Sequence, residues 1–146
     1  MNTYIVNEIS TKCAQIREKG VTEEGINQII RAYKQVLKLC DISRNEGLLE
    51  LEDSARKIDT DRITDRFLVW MIGLICDCVA PEVVEEYGIC KAAALDMHDY
   101  DGLILMFYIK AVLWVQAGHS SWGMQNLLLS FWPDFIEEEL RNNGII

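Results

Sequence analysis

Proline is scarce in this sequence, with two among 146 residues, and no stretch alternates apolar and polar residues with the period of two typical of strands. Low-complexity tracts are absent too, which argues against a disordered chain. What is present is an apolar spacing close to 3.6 residues almost throughout. The pattern predicts an all-α protein, a compact bundle of about five to six helices in a single domain over residues 1–146.

Positive charge is also in short supply. Fourteen Lys and Arg stand against 23 Asp and Glu, which leaves a net charge of −9 at pH 7. A chain this acidic repels phosphate backbones unless its few cations gather on one face. We therefore expect no nucleic-acid partner.

No apolar run is long enough to cross a bilayer. The most apolar segment, residues 103–115, would make a helix of about 20 Å, and a membrane span needs roughly 20 residues. We expect this segment to be a buried core helix or a contact between copies of the chain. The first residues, "MNTYIVNEISTKC", lack the features of a signal peptide, so a cytoplasmic protein is expected.

Metal-binding residues are few. The chain has two histidines and an odd number of cysteines, Cys13, Cys40, Cys76, Cys78 and Cys90, a set that favours reduced thiols over a disulfide framework. Cys76 and Cys78 would point about 200° apart on one helix, so they could share a metal only if the helix ended there. We predict no metal site and no cofactor.

Enzyme signatures are missing as well. The sequence has no glycine-rich phosphate loop, no G-x-S-x-G, no H-E-x-x-H and no third partner for a Cys and His dyad. The polar run "HDYD", residues 98–101, is typical of a solvated loop. From the residues alone we expect a non-enzymatic helical domain, with binding as its role.

Residues 22–58 are predicted to form one long helix. Thr22 is a suitable N-cap after a first helix that ends at Gly20, and apolar residues recur at helical spacing as far as Ile58. The alternative is a break at residues 43–46, "SRNE", which have the form of a capping box.

On a continuous helix, Arg44 and Gly47 would lie on the buried stripe and Glu52 at its edge. Glycine in mid-helix costs about 1 kcal/mol relative to alanine, so Gly47 suggests that another helix comes close. A buried arginine needs a partner, and Asp77, on the apolar side of a later helix, is a candidate. The alternative places Asp77 at the exposed end of its helix.

Three segments resemble the cytoplasmic region of the MotA family, the stator subunits of the bacterial flagellar motor. The first is "SRNEGLLELED", residues 43–53; the second is "DRFLVWMIGLICDCVAPEVVEEYG", residues 65–88; the third is "YIKAVLWVQAGHSSWGMQNLLLSFWPDFI", residues 108–136. The matching residues of the first segment are Arg44, Gly47, Leu48, Leu49, Leu51 and Glu52. Those of the second are Asp77, Pro81, Glu82 and Val84. Those of the third are Ile109, Val115, Gln116, Ala117, Gly118, Leu128, Ser130, Phe131 and Pro133.

The resemblance implies a stator-like cytoplasmic domain that acts in bacterial motility by protein contacts. In that family the charges corresponding to Arg44 and Glu52 meet complementary charges on a rotor switch-complex protein, so we predict Arg44, Gly47 and Glu52 as partner-binding residues. The family's membrane spans have no counterpart here, and we expect no ion conduction. Self-association is a further expectation. The alternative function is a small cytosolic regulator that senses redox state or metal through its cysteines.

Overall fold

The computed structural model describes residues 2–146, and over that range the chain is all-helical, with eight α-helices and one 3₁₀ turn. The predicted fold class is confirmed, although the helices outnumber the five to six expected. The helices in chain order are α1 (Thr3–Lys19), α2 (Glu23–Glu46), α3 (Leu48–Arg56), α4 (Ile63–Cys76), α5 (Pro81–Leu95), α6 (Asp99–Gln116), α7 (Met124–Leu129) and α8 (Asp134–Asn142). The 3₁₀ turn, Ser121–Gly123, precedes α7.

Helix α6 is the centre of the bundle, with α1, α2, α4 and α5 packed around it. Every residue from 103 to 109 is buried, so all sides of the helix are covered there. A helix that is apolar all round needs such cover. The expectation that residues 103–115 form a core helix is therefore confirmed. Among residues 2–146, no helix combines the length and the apolarity needed to span a membrane.

Several helix ends lie where the sequence predicts them. The first helix stops before Gly20, whose φ of 87° suits a glycine. The Thr22 side chain caps α2 by accepting a hydrogen bond of 3.0 Å from the Gly25 amide. Pro81 is the first residue of α5, where its missing N–H costs nothing. Residues 98–101, predicted as a loop, instead include the first turn of α6, and Tyr100 is buried.

The prediction of a single long helix over residues 22–58 is wrong. Those residues form two helices, α2 and α3, separated by Gly47, which has φ 92° and ψ −177°. The Gly47 amide still donates to the carbonyls of Ile42 and Ser43, both at 3.2 Å, so α2 runs past the alternative break at residues 43–46. Because only one residue interrupts the pattern, Leu51 remains buried and the periodicity hides the break.

A buried carboxylate links α2 to α4. Asp65 is 1 % exposed, and its Oδ2 accepts a hydrogen bond of 2.8 Å from an Arg31 Nη2. The Gln35 side-chain amide donates to the other oxygen at 3.2 Å. Tyr108 lies close enough that its pKa is raised, chiefly by burial and then by the charge of Asp65. The pairing of Asp65 satisfies a charge that would otherwise be costly to bury.

Candidate functional site

The three segments that carry the MotA resemblance meet at one end of the bundle. We call this region the loop end and define it as residues 41–52, 76–81 and 116–122. Side-chain hydrogen bonds join the segments: the Cys76 thiol donates to the Leu48 carbonyl at 3.8 Å, and the Gln116 amide donates to the Val79 carbonyl at 2.7 Å. The C-terminal ends of α2, α4 and α6 therefore lie side by side, although they are far apart in sequence.

Arg44 lies on the surface of the loop end, in the last turn of α2. Its guanidinium donates a hydrogen bond to the carbonyl of Gly118, just beyond the end of α6. Within residues 2–146 it pairs with no carboxylate, so the predicted partnership with Asp77 is wrong. This hydrogen bond attaches Arg44 to the loop after α6, and the rest of the Arg44 side chain remains exposed.

Gly47 separates α2 from α3, and no neighbouring helix packs closely against it. No heavy atom lies within 4 Å of the position that a side-chain carbon would occupy there, so the predicted close approach is absent. The combination of φ 92° and ψ −177° belongs to a region of backbone space that is essentially restricted to glycine. The requirement for glycine at this position therefore comes from backbone geometry.

Glu52 lies on α3, half-buried, and its Oε1 accepts a hydrogen bond of 2.6 Å from an Arg56 Nη2. It is not paired with Arg44. Glu52 and Asp77 both line a cleft of about 200 Å³ between α3 and α4, whose other walls include Ile72 and Gly73. Asp77 itself is exposed at the C-terminal end of α4, which is the alternative that the sequence left open. The structure thus places Glu52 and Asp77 at one cleft and Arg44 outside it.

The loop end also carries apolar side chains in contact with water. Leu48 is exposed, and its neighbour Leu49 is 83 % exposed; both follow Gly47 directly. Trp122 is exposed on the 3₁₀ turn. On a helix continuous through Gly47, Leu48 would lie on the buried stripe, and the turn at Gly47 is what moves it outward. Exposed leucines beside charged side chains are typical of protein-binding surfaces.

Other polar contacts hold the loop after α6 in place, and sequence reasoning missed them. The Ser121 hydroxyl donates to Asp41 at 2.6 Å, and the buried Cys40 thiol donates to the His119 carbonyl at 3.3 Å. The Trp114 indole donates to the Ser120 carbonyl at 2.9 Å. Each bond joins residues that are individually unremarkable in the sequence, so only the fold could reveal them. Together they make the loop end a fixed surface.

The cysteines differ in exposure. Cys40 is buried, Cys13 and Cys76 are half-buried, and Cys78 and Cys90 are exposed. Burial raises the pKa of the Cys76 thiol, and the nearby charges of Glu52 and Asp77 raise that pKa further. Burial also raises the pKa of Cys13 and of Cys40. Within residues 2–146, no three His, Cys, Asp or Glu side chains are grouped as metal ligands would be.

Comparison with known proteins finds no matching family model, no matching curated protein and no matching solved structure. The MotA resemblance therefore depends on the three sequence segments alone.

Proposed function

We propose that this chain is a non-enzymatic protein-interaction domain, similar to the cytoplasmic part of MotA, that binds a protein partner at its loop end. The observation that carries the proposal is the meeting of the three MotA-like segments, which are distant in sequence, on one surface. The hydrogen bonds from Cys76 to Leu48 and from Gln116 to Val79 tie these segments together. A shared surface is what joint recognition of a partner requires.

The chemistry of the loop end suits a partner that offers both apolar and charged groups. Leu48 and Leu49 supply exposed apolar area, and Arg44 and Glu52 lie on the helices before and after the turn. Apolar anchors contribute most of the affinity in such contacts, while flanking charges set orientation and specificity. The proposed partner is a cytoplasmic rotor switch-complex protein of the flagellar motor, and the role involves no ion conduction.

Binding to that rotor protein tests the proposal directly. Arg44→Ala and Glu52→Gln are each expected to weaken the complex by about 10-fold, the effect of losing roughly 1.4 kcal/mol of contact energy. Both changes should leave the free energy of unfolding within about 1 kcal/mol of the parent, because exposed ion pairs and hydrogen bonds contribute little. Titration calorimetry measures the affinity, and thermal melts measure the stability.

Glu137→Gln is the matched control for Glu52→Gln. Glu137 also accepts a hydrogen bond from an arginine four residues later, at 2.8 Å, and its side chain is 31 % exposed against 34 % for Glu52. It lies on α8, outside the loop end. The control should bind like the parent chain. If the parent chain does not bind the rotor protein, that protein is ruled out as the partner. If the loop-end variants bind it as tightly as the parent, the loop end is ruled out as the binding surface.

The cysteine-sensor alternative draws support from one observation: α4 ends at Cys76, so Cys76 and Cys78 do not lie on opposite sides of one helix. The raised pKa of Cys76 argues against it, because a sensor thiol must form a thiolate readily.

Thiol titration with Ellman's reagent at neutral pH separates the two functions. Cys78 and Cys90 are expected to react at the rate of ordinary exposed thiols, and Cys13, Cys40 and Cys76 more slowly, because burial raises their pKa and limits access. The Cys76 rate should rise only at a pH above the usual range for thiols. A thiol that reacts much faster than free cysteine, or one zinc bound per purified chain, would favour the sensor instead.

A further inference from the structure

Helix α5 has an apolar side that faces away from the bundle. Its core side is formed by Val84, Gly88 and Ala92, and Gly88 lies against Met71 and Ile109. The outward side carries a second apolar row, which we call the α5 stripe: Val83, Tyr87, Cys90 and Ala94. Tyr87 is 47 % exposed, Cys90 and Ala94 are exposed, and Val83 is half-buried. An ordinary surface helix would place polar residues there.

The spacing of the α5 stripe is that of a helix-pairing seam. Its members are successively four, three and four residues apart. This is the a and d pattern by which two helices pack side by side. The straight-helix drift over two heptads is only about 40°, so the four side chains stay on one face. The small Cys90 and Ala94, in the C-terminal half of the stripe, would let two helix axes approach closely there.

Two opposite charges flank the stripe and complement each other between copies. With Tyr87 at an a position, Glu86 is at g and Lys91 at e. Neither forms an ion pair within residues 2–146. When two such helices run parallel, the g residue of each lies beside the e residue five positions later on the other. Glu86 of each copy would then meet Lys91 of the other.

We propose that the α5 stripe is a self-association surface, on which a second copy of this chain docks with the two α5 helices parallel about a two-fold axis. The occupant is a second copy because an apolar row at heptad spacing can pair with its own copy, and the flanking Glu86 and Lys91 then place opposite charges together. This contact is separate from the loop end and does not use residues 103–115, which the bundle buries. A two-fold interface brings the same patch of both copies together, as this pairing does.

The contact is expected to be weak and reversible. One helix face is smaller than the ~800 Å² per partner of stable interfaces. A dissociation constant on the order of 100 µM is therefore expected. Sedimentation equilibrium between about 10 µM and 1 mM covers this range and should show the average mass rising toward that of a dimer.

Ala94→Arg tests the stripe, because the exposed alanine at its C-terminal end becomes long and charged. This variant should remain a monomer over the whole concentration range. Ala14→Arg is the matched control: Ala14 is also an exposed alanine within a helix, α1, away from the stripe. The control should associate like the parent chain. A parent chain that is monomeric at 1 mM, or an Ala94→Arg variant that associates normally, overturns the proposal.

A charge exchange tests the pairing between copies. Glu86→Lys alone and Lys91→Glu alone should each weaken self-association by about five-fold, since each places like charges together at two positions. Mixing the two variants should restore association, because the lysine introduced in one variant then faces the glutamate introduced in the other, and the unchanged Glu86 of the second faces the unchanged Lys91 of the first. Restoration in the mixture supports the parallel pairing. A mixture as weak as the single variants contradicts it.

Discussion

Arg31→Ala is expected to lower the free energy of unfolding by about 3 kcal/mol, the lower end of the range for breaking a buried ion pair. Asp65 is 1 % exposed, and without Arg31 it keeps only the Gln35 amide as a partner. A buried carboxylate without its cation is costly, whereas Arg31 is 44 % exposed in its side chain and is partly solvated already. The melting temperature should fall by about 10 °C in a thermal scan followed by circular dichroism.

A double variant distinguishes a stranded charge from simple loss of contacts. Arg31→Ala with Asp65→Ala removes the carboxylate as well, so it should be more stable than Arg31→Ala alone. Arg141→Ala is the surface control, because the side chain of its partner Glu137 is 31 % exposed against 1 % for Asp65, so this pair should contribute less than about 1 kcal/mol. If the loss of stability in the double variant equals the sum of the losses measured for Arg31→Ala and for Asp65→Ala singly, the two side chains are not coupled and Asp65 tolerates the loss of Arg31.

Gly47→Ala is expected to lower the free energy of unfolding by about 1–3 kcal/mol, the cost of holding an alanine in a backbone conformation essentially restricted to glycine. The φ of 92° with ψ −177° sets this cost, since open space surrounds the site. Because Gly47 orients α3 relative to α2, binding of the proposed partner at the loop end should weaken as well. Urea unfolding gives the free energy.

Gly73→Ala is the matched comparison for Gly47→Ala. Gly73 lies within α4, has no neighbour within 4 Å of a side-chain carbon and has no positive φ. Alanine there should raise stability by about 0.5–1 kcal/mol through helix propensity. The two glycines are thus expected to give changes of opposite sign. A Gly47→Ala chain that melts higher than the parent would show that the turn between α2 and α3 does not need glycine.

The fold class, the single core helix at residues 103–115 and the ends at Gly20 and Thr22 could be predicted, since each depends on local chemistry. The break at Gly47 could not. Leu51 and Ala55, which follow the break, keep the burial phase of Ile26 and Tyr33 before it, so the periodicity looks continuous. Nothing in the local sequence distinguishes a glycine inside a helix from one with a φ of 92°, because the flanking residues continue the helical pattern in both cases.

The candidate site could be predicted only in part. Arg44, Gly47 and Glu52 could be singled out as one segment, but their roles depend on that one turn. Arg44 reaches the Gly118 carbonyl from the last turn of α2, and the turn at Gly47 leaves Leu49 exposed to water. The partners on α6, such as Gln116 for Val79, come from distant parts of the chain. Contacts at such sequence separation leave no periodic signal.

The position of α6 along the chain has a consequence for synthesis on the ribosome. Helices α1, α2, α4 and α5 all pack on α6, yet Asp99–Gln116 emerges after every one of them. Until α6 emerges, α2, α3, α4 and α5 can pack only on one another, and residues of α1 such as Ile5 and Ile16 remain exposed to water. At a synthesis rate of about 5–20 residues per second, the time between the emergence of α1 and that of α6 is several seconds. A nascent chain arrested before Asp99 should therefore recruit chaperones, and one arrested well beyond Gln116 should release them.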